Sequence, residues 1–202
     1  MRDLFIVGAG GFGREAVWTV ERINKAAQQP LWNVIGFADD DPAKASGNFE
    51  GYPLLGSVAQ ASRDNPGASV FIAVGKNSKR ADIAKRLCGH DFPAIIDPKA
   101  QISPTTDFLE GAFIAAGAVV QVGAELGRFV IVGANAVVCH DAHVGDFVNM
   151  GPGTVVASGV KVENNVSFFA NSSTMPWITI GTGSVINCGK GVKESIPANT
   201  EV

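Results

Sequence analysis

The chain has 202 residues, 46% of them apolar and 17% charged, the balance of a folded protein with room for one large domain or two small ones. Its net charge is −3, with 11 basic and 11 acidic residues in 1–97 and 5 and 8 in 98–202. No basic stripe could neutralise the phosphates of a duplex, so no nucleic-acid partner is expected.

The first half reads as alternating strands and helices. Asp3–Val7 is a short apolar strand that runs into Gly8-Ala9-Gly10-Gly11-Phe12-Gly13. A helix is predicted from about Phe12 to Ala27, with Ala16, Val20 and Ile23 at helical spacing. Val34–Ala38 is a second buried strand, stopped by Asp39-Asp40-Asp41-Pro42, and Ser57 is placed to cap a short helix ending at Arg63. Ser69–Val74 is a third strand, Ser78–Leu87 a second full helix, and Asp91–Ile96 a last strand before Asp97-Pro98. That order implies a small parallel α/β sheet, a Rossmann-like half domain over residues 1–97.

Residues 98–202 keep a different beat. Every sixth residue from Ile102 gives Ile102, Phe108, Ile114, Val120, Leu126, Val132, Val138, Val144, Met150, Val156, Val162, Phe168, Thr174, Ile180, Ile186 and Val192. All but Thr174 are large and apolar, where composition alone predicts about a third. Four residues after most of these stands a small or β-branched residue, such as Ala118, Ala136 or Val148, and one residue after stands glycine at 127, 133, 145, 151 and 181. A six-residue period without helix formers predicts a solenoid of strand-plus-turn hexads, three to each triangular coil, with glycine supplying unusual backbone angles at the turns. A sandwich of short strands would repeat every 8–12 residues instead.

Three constellations could carry chemistry. The first is the glycine turn at 8–13, a GxGxxG after a strand and before a helix, where backbone N–H groups and the helix N-terminus can approach a diphosphate. A nucleotide-sugar, a dinucleotide and a purely structural turn all remain open. Asp39 follows Gly13 at close to the separation usual for a ribose-binding carboxylate, but residues 1–97 hold no second mononucleotide half. Asp39 and Asp40 are the candidates for ribose or base, and Gly10, Gly11, Phe12 and Gly75 for the remainder of the ligand; Gly75 ends the third strand on the same sheet edge.

The second is His140 with Asp141. His140 stands two residues after the inward Val138 and so faces a turn or the outer surface. Imidazole suits removal of a proton near neutral pH, and a neighbouring carboxylate can fix its tautomer. His143 reads as a plain outward side chain. The third is metal. Of three histidines, His90 lies in the first half, and His140 with His143 would leave a zinc short of ligands, so no metal is expected. Cys88, Cys139 and Cys188 cannot all pair, and none lies in a CxxC, which favours a reduced, cytoplasmic protein with no cysteine nucleophile. The apolar run Leu4–Val7 is too short for a signal peptide or membrane span.

GAGGFG at 8–13, ADD at 38–40, AVGKN at 73–77 and CHDAHVGDF at 139–147 together resemble the hexapeptide-repeat acyltransferases. More narrowly, the chain is similar to the bacterial N-acetyltransferases of nucleotide-linked amino sugars and to the sialic-acid O-acetyltransferases. The resemblance implies a left-handed parallel β-helix over 98–202, acetyl-CoA as co-substrate and a nucleotide-linked amino sugar as acceptor, with a sugar or serine hydroxyl as the alternative. It also implies a homotrimer with grooves between neighbours, His140 as base and Asp141 as its partner. By position Asn149, where relatives often have a second histidine, and Ser158, where relatives offer a backbone amide, become candidate cofactor contacts. Lys190 and Lys193 are either contacts to the coenzyme's phosphates or solvated surface lysines.

Overall fold

The computed structural model describes residues 1–44, 48–106 and 110–202. The chain divides into two compact units, Met1–Ile95 and Ile96–Val202.

In the first unit, β1 (Arg2–Val7) is the middle strand of a parallel sheet between β2 (Trp32–Ala38) and the later strand Ser69–Ile72. Leu4 to Val7 are all but fully buried, as an apolar run covered on both faces should be. Helix α1 (Gly11–Ala26) buries Gly13, Ala16, Val17 and Val20 along one side. A two-residue hairpin, β3 (Asn48–Phe49) and β4 (Tyr52–Pro53), precedes α2 (Val58–Asp64). The Ser57 hydroxyl caps α2 by accepting the Gln60 N–H at 3.2 Å. Strand β5 (Ser69–Ile72) and helix α3 (Asn77–Arg86) complete the unit. Two strand expectations were too long. β5 stops at Ile72, and of Asp91–Ile96 only Ile95–Ile96 is extended into a ladder. Pro93 has no N–H to give, and the segment is tied to β5 through Asp91, whose carbonyl accepts the Val70 N–H at 2.8 Å and whose Oδ2 accepts the Ser69 hydroxyl at 3.0 Å.

The second unit is a parallel β-solenoid with three faces of two-residue strands. The first face runs through Phe113–Ile114, Ile131–Val132, Asn149–Met150, Ser167–Phe168 and Val185–Ile186. The second runs from Gln101–Ile102 through Val119–Val120, Val137–Val138, Val155–Val156 and Ser173–Thr174 to Gly191–Val192. The third comprises Glu125–Leu126, His143–Val144, Lys161–Val162 and Thr179–Ile180. Partners lie three hexads apart, as in Val137 with Val155 and His143 with Lys161. From Ile114 to Val192 the six-residue column lines the interior, each large side chain contributing about 1.5–3 kcal/mol by leaving water. Thr174, the polar member, is buried, and its hydroxyl accepts the Ala157 N–H at 3.0 Å. Phe108 lies outside the described residues.

The glycines that follow the inward residues do not serve the turns in the expected way. Gly127, Gly133, Gly145, Gly151 and Gly181 have ordinary backbone angles. At Gly127 a Cβ would come within 2.5 Å of the Gly145 carbonyl carbon in the next coil, so glycine is needed there for close stacking. The left-handed angle falls two residues later, in a column that includes Gly123, Asn135, Asp141, Gly159, Asn165 and Trp177.

Candidate functional site

His140 and Asp141 form the turn between the second-face strand Val137–Val138 and the third-face strand His143–Val144. Asp141 takes the left-handed conformation at φ 59°, which aspartate tolerates better than most residues. The turn is held from both neighbouring coils. The Asp141 N–H donates to the Val122 carbonyl at 3.2 Å, the His140 N–H to Gln121 Oε1 at 3.0 Å, and the His140 carbonyl accepts the Gly159 N–H at 3.0 Å. In that conformation Asp141 Oδ2 lies 2.9 Å from His140 Nδ1. An ionised carboxylate only accepts, so Nδ1 carries the hydrogen of this pair, and in the neutral ring Nε2 then holds the lone pair. Both side chains are exposed, so that lone pair is open to an incoming ligand.

Ser158 stands on the same edge, one coil after His140, and its N–H donates to no backbone group among the described residues. Asn149 does not share that edge: it points outward from the first face, between Ile131 and Ser167 in the ladder. Lys190 stands on the turn between the first and second faces, while Lys193 follows Val192 on His140's own edge. His143, expected from the sequence to be a plain outward side chain, is exposed on the third face. Its Nδ1 lies 2.8 Å from Glu125 Oε2 on the third face, beside Lys161, in a groove of about 540 Å³. The 18-residue spacing of Glu125 and His143, one full coil, was the available signal for that contact. Cys139 precedes His140, and burial pushes its thiol above the ordinary value, away from a nucleophile's range.

In the first unit, pairing of Val7 with Ala38 brings the glycine turn beside the end of β2. Asp39 ties the two together. Its Oδ2 accepts the Ala9 N–H at 2.8 Å and Lys44 Nζ at 2.9 Å, and its Oδ1 accepts the Asp41 N–H at 3.0 Å. Burial opposes its charge, yet those two N–H groups and the ammonium outweigh it and hold the carboxyl below the usual carboxylate range. Asp40 accepts the Val58 N–H and pairs with Arg86, both at 2.9 Å. Gly8 and Gly13 are forced: Gly8 sits at φ 103°, and a Cβ on Gly13 would strike the Gly8 carbonyl.

Asp39 and Asp40 line a cavity of about 630 Å³ with Gly8, Lys44, Lys79 and Arg86. Gly10 and Gly11 line a separate hollow of about 310 Å³ with Arg14. Phe12 packs edge-on against Phe71. Gly75 is exposed on a turn that the sequence left unexplained: Arg80, 1% exposed, donates to the Val74 carbonyl at 2.8 Å and the Gly75 carbonyl at 3.1 Å. Loss of water lowers its guanidinium to about 10, still charged at neutral pH. Among the described residues, no three His, Cys, Asp or Glu side chains gather as a metal site, and no helix is long and apolar enough to cross a membrane.

Residues 3–87 match the family model described as the PglD N-terminal domain. No curated protein matches the chain in sequence. Among solved structures, the acetyltransferase domain of PglB from Neisseria gonorrhoeae, in complex with acetyl coenzyme A, aligns with a TM-score of 0.90 at 26% identity, over 100% of this chain and 95% of that one. A variant of perosamine N-acetyltransferase from Caulobacter crescentus, in complex with CoA and GDP-perosamine, aligns with a TM-score of 0.90 at 22% identity, over 100% and 93%. WeeI from Acinetobacter baumannii gives 0.86 at 21%, over 100% and 96%. The chain has the fold of these acetyltransferases. A small α/β unit precedes a left-handed parallel β-helix, as the sequence motifs implied.

Proposed function

We propose that the protein transfers the acetyl group of acetyl-CoA to the amine of a nucleotide-linked amino sugar, with His140 as general base. The observation that carries this reading is the His140–Asp141 pair. Its free Nε2 lies on an open edge of a scaffold that aligns end to end with an acetyltransferase holding acetyl-CoA. The amine nitrogen attacks the thioester carbonyl, the C–N bond forms, and Nε2 takes the proton the nitrogen sheds. Asp141 stabilises the resulting imidazolium through Nδ1–H. Collapse of the tetrahedral adduct breaks the C–S bond, and the imidazolium returns its proton to the leaving thiolate. No acyl-enzyme is required. The α/β unit supplies the nucleotide site, with the cavity beside Asp39 and Asp40 as its candidate.

The second face carries Val119, Val137 and Val155 in one outward column, an apolar stripe suited to association of copies. We assign the active form as a homotrimer in the cytoplasm, where acetyl-CoA is at hand and the three free cysteines stay reduced. The test is thiol release from acetyl-CoA with a panel of UDP-, GDP- and dTDP-linked amino sugars, alongside light scattering. Turnover of one amine acceptor without a burst, by a particle of three times the chain mass, is expected. Acceptance of hydroxyl sugars alone, or a burst of acyl-enzyme, would overturn it.

A further inference from the structure

Turns of the solenoid satisfy their backbone by a repeated scheme, and one N–H in each turn falls outside it. On His140's edge, counted at three hexads per coil, the turns are 121–123, 139–141, 157–159 and 175–177. The first residue donates to the next coil, as the Gln121 N–H does to the Val138 carbonyl at 2.9 Å and the Met175 N–H to Val192 at 2.8 Å. The third donates to the middle carbonyl of the previous coil, as the Gly159 N–H does to His140 and the Trp177 N–H to Ser158, both at 3.0 Å. The middle N–H has no place in the scheme. Those of Val122 and Ser158 find no acceptor among the described residues, and Pro176 has no N–H to give. Only that of His140 is taken, by the side-chain oxygen Oε1 of Gln121 at 3.0 Å. The edge between the third and first faces repeats the device with a charge. Glu163 stands nineteen residues before Thr182, as Gln121 does before His140, and its Oε2 accepts the Thr182 N–H at 2.9 Å. That N–H and the Thr182 hydroxyl hold the Glu163 carboxyl below its usual range.

Resting on the reading of His140 as general base, we propose that Gln121 is its positioning residue, an acceptor that fixes the His140 turn without setting a second anion beside the imidazole. The other bonds of this turn, the Asp141 N–H to Val122 and the His140 carbonyl to Gly159, belong to the scheme and recur from turn to turn. The Gln121 bond is particular to this sequence. Without it the peptide that carries His140 has one anchor fewer, and a base displaced from its line of approach loses rate rather than binding. Glu163 shows that a carboxylate at this spacing would serve the backbone as well. A carboxylate here would also favour the imidazolium, and an imidazole already protonated at Nε2 cannot take a proton from the amine. Asp141, bonded at 2.9 Å, is the anion His140 already has. Cys139 beside it is kept a thiol by burial, and on the third face Glu125 pairs with His143, next to Lys161.

Substitutions at Gln121 separate the acceptor from the charge, assayed with acetyl-CoA and the best acceptor among the UDP-, GDP- and dTDP-linked amino sugars. Gln121→Met keeps the length and loses the acceptor. Its kcat is expected to fall about five- to tenfold, the worth of one ordinary hydrogen bond, with both KM values within about twofold of wild type. Gln121→Glu restores the acceptor, so its kcat at high pH should return to within about twofold of wild type. The pH at which its kcat/KM reaches half the plateau should rise by roughly half a unit, and fall back toward wild type in about 0.5 M salt. Val122→Ala, at the exposed neighbouring side chain, should change none of these. If Gln121→Met melts well below wild type, Gln121→Glu, which keeps the bond, still tests the assignment through its pH profile. Wild-type kcat in a folded Gln121→Met, or an unmoved profile in Gln121→Glu, would overturn the neutral anchor while the base stands. Full turnover by His140→Ala, or no turnover of any acceptor by the wild type, would overturn the reading beneath it.

Discussion

Replacing Asp141 with glycine is expected to lower activity without weakening the fold. The backbone at Asp141 is left-handed, and the residues stacked below and above it, Gly123 and Gly159, are glycines in that conformation. A left-handed L-residue costs roughly 1–2 kcal/mol, less for aspartate, and glycine's greater freedom when unfolded offsets about 0.5–1 kcal/mol of that relief. The His140–Asp141 pair is 47% and 59% exposed, so its loss removes well under about 1 kcal/mol of stability. These terms leave a net change within about 1 kcal/mol, a Tm shift of a few degrees for a chain this size. Activity should respond differently. Without the carboxylate the imidazole is free to rotate and its cation loses a partner, so kcat should fall by about 10–10²-fold, against 10²–10⁴-fold for His140→Ala. Asp141→Asn should lose less, because an exposed amide can turn its oxygen toward Nδ1–H. Thiol release under saturating substrates gives kcat, and differential scanning calorimetry gives Tm. A glycine variant with full kcat, or one that melts more than about 10 °C lower, would refute the assignment of this side chain to chemistry.

Gly123→Ala should act on the same pair from below, since a Cβ there would lie 2.5 Å from Asp141 Oδ1 and would be strained at φ 70°; a lower kcat with unchanged KM for both substrates is expected, and wild-type kcat would argue that the carboxylate's position is unimportant. Arg80→Met should strip two carbonyls of a buried charged donor and destabilise by roughly 2–5 kcal/mol, read by urea denaturation. Asp39 has a folded pKa held below its ordinary value, so its stabilisation is complete above the unfolded value near 3.8 and is lost as pH falls through the folded one. Asp39→Asn should therefore be less stable at neutral pH and show a shallower loss on acidification, followed by circular dichroism; parallel acid titrations in the two proteins would contradict the pinning role.

The solenoid was legible because its signal is a single number. A fixed hexad places every inward side chain in one column, and burial acts on all of them alike, so the column survives even where Thr174 interrupts it. The glycine pattern was visible too, but its cause was not. Close stacking of coils demands glycine at 127 and 145, and the left-handed angle falls two positions later, where Asn135, Asp141, Phe147 and Trp177 accept it as well. Position along the chain says little about which edge a residue joins until whole coils of three hexads are counted off. That arithmetic separates Ser158 and Lys193, on His140's edge, from Asn149 and Lys190, which are not. In the α/β unit the glycine turn and the acidic strand end were readable as motifs. The bond from Ala9 to Asp39 was not, because it depends on the register of β1 against β2, and the apolar runs Leu4–Val7 and Gly36–Ala38, buried without alternation, do not fix one.

The two units therefore expose their chemistry to mutation in opposite ways. In the solenoid, stability resides in the inward column and in the glycines beneath the next coil, while His140 and Asp141 stand outside that core, exposed. A substitution there is expected to change function at little cost to folding. In the α/β unit the same side chains serve both purposes: Asp39 and Asp40 line the cavity and also hold the glycine turn, α2 and Arg86 in place. Linkage ties a ligand's stabilisation to the ratio of its concentration to Kd alone, so at equal saturation a ligand in that cavity and acetyl-CoA on the solenoid should each stabilise by the same free energy. Loss of either aspartate should weaken binding and stability together. Variants that separate the two effects belong on the His140 edge, where the backbone repeats and the side chains alone differ.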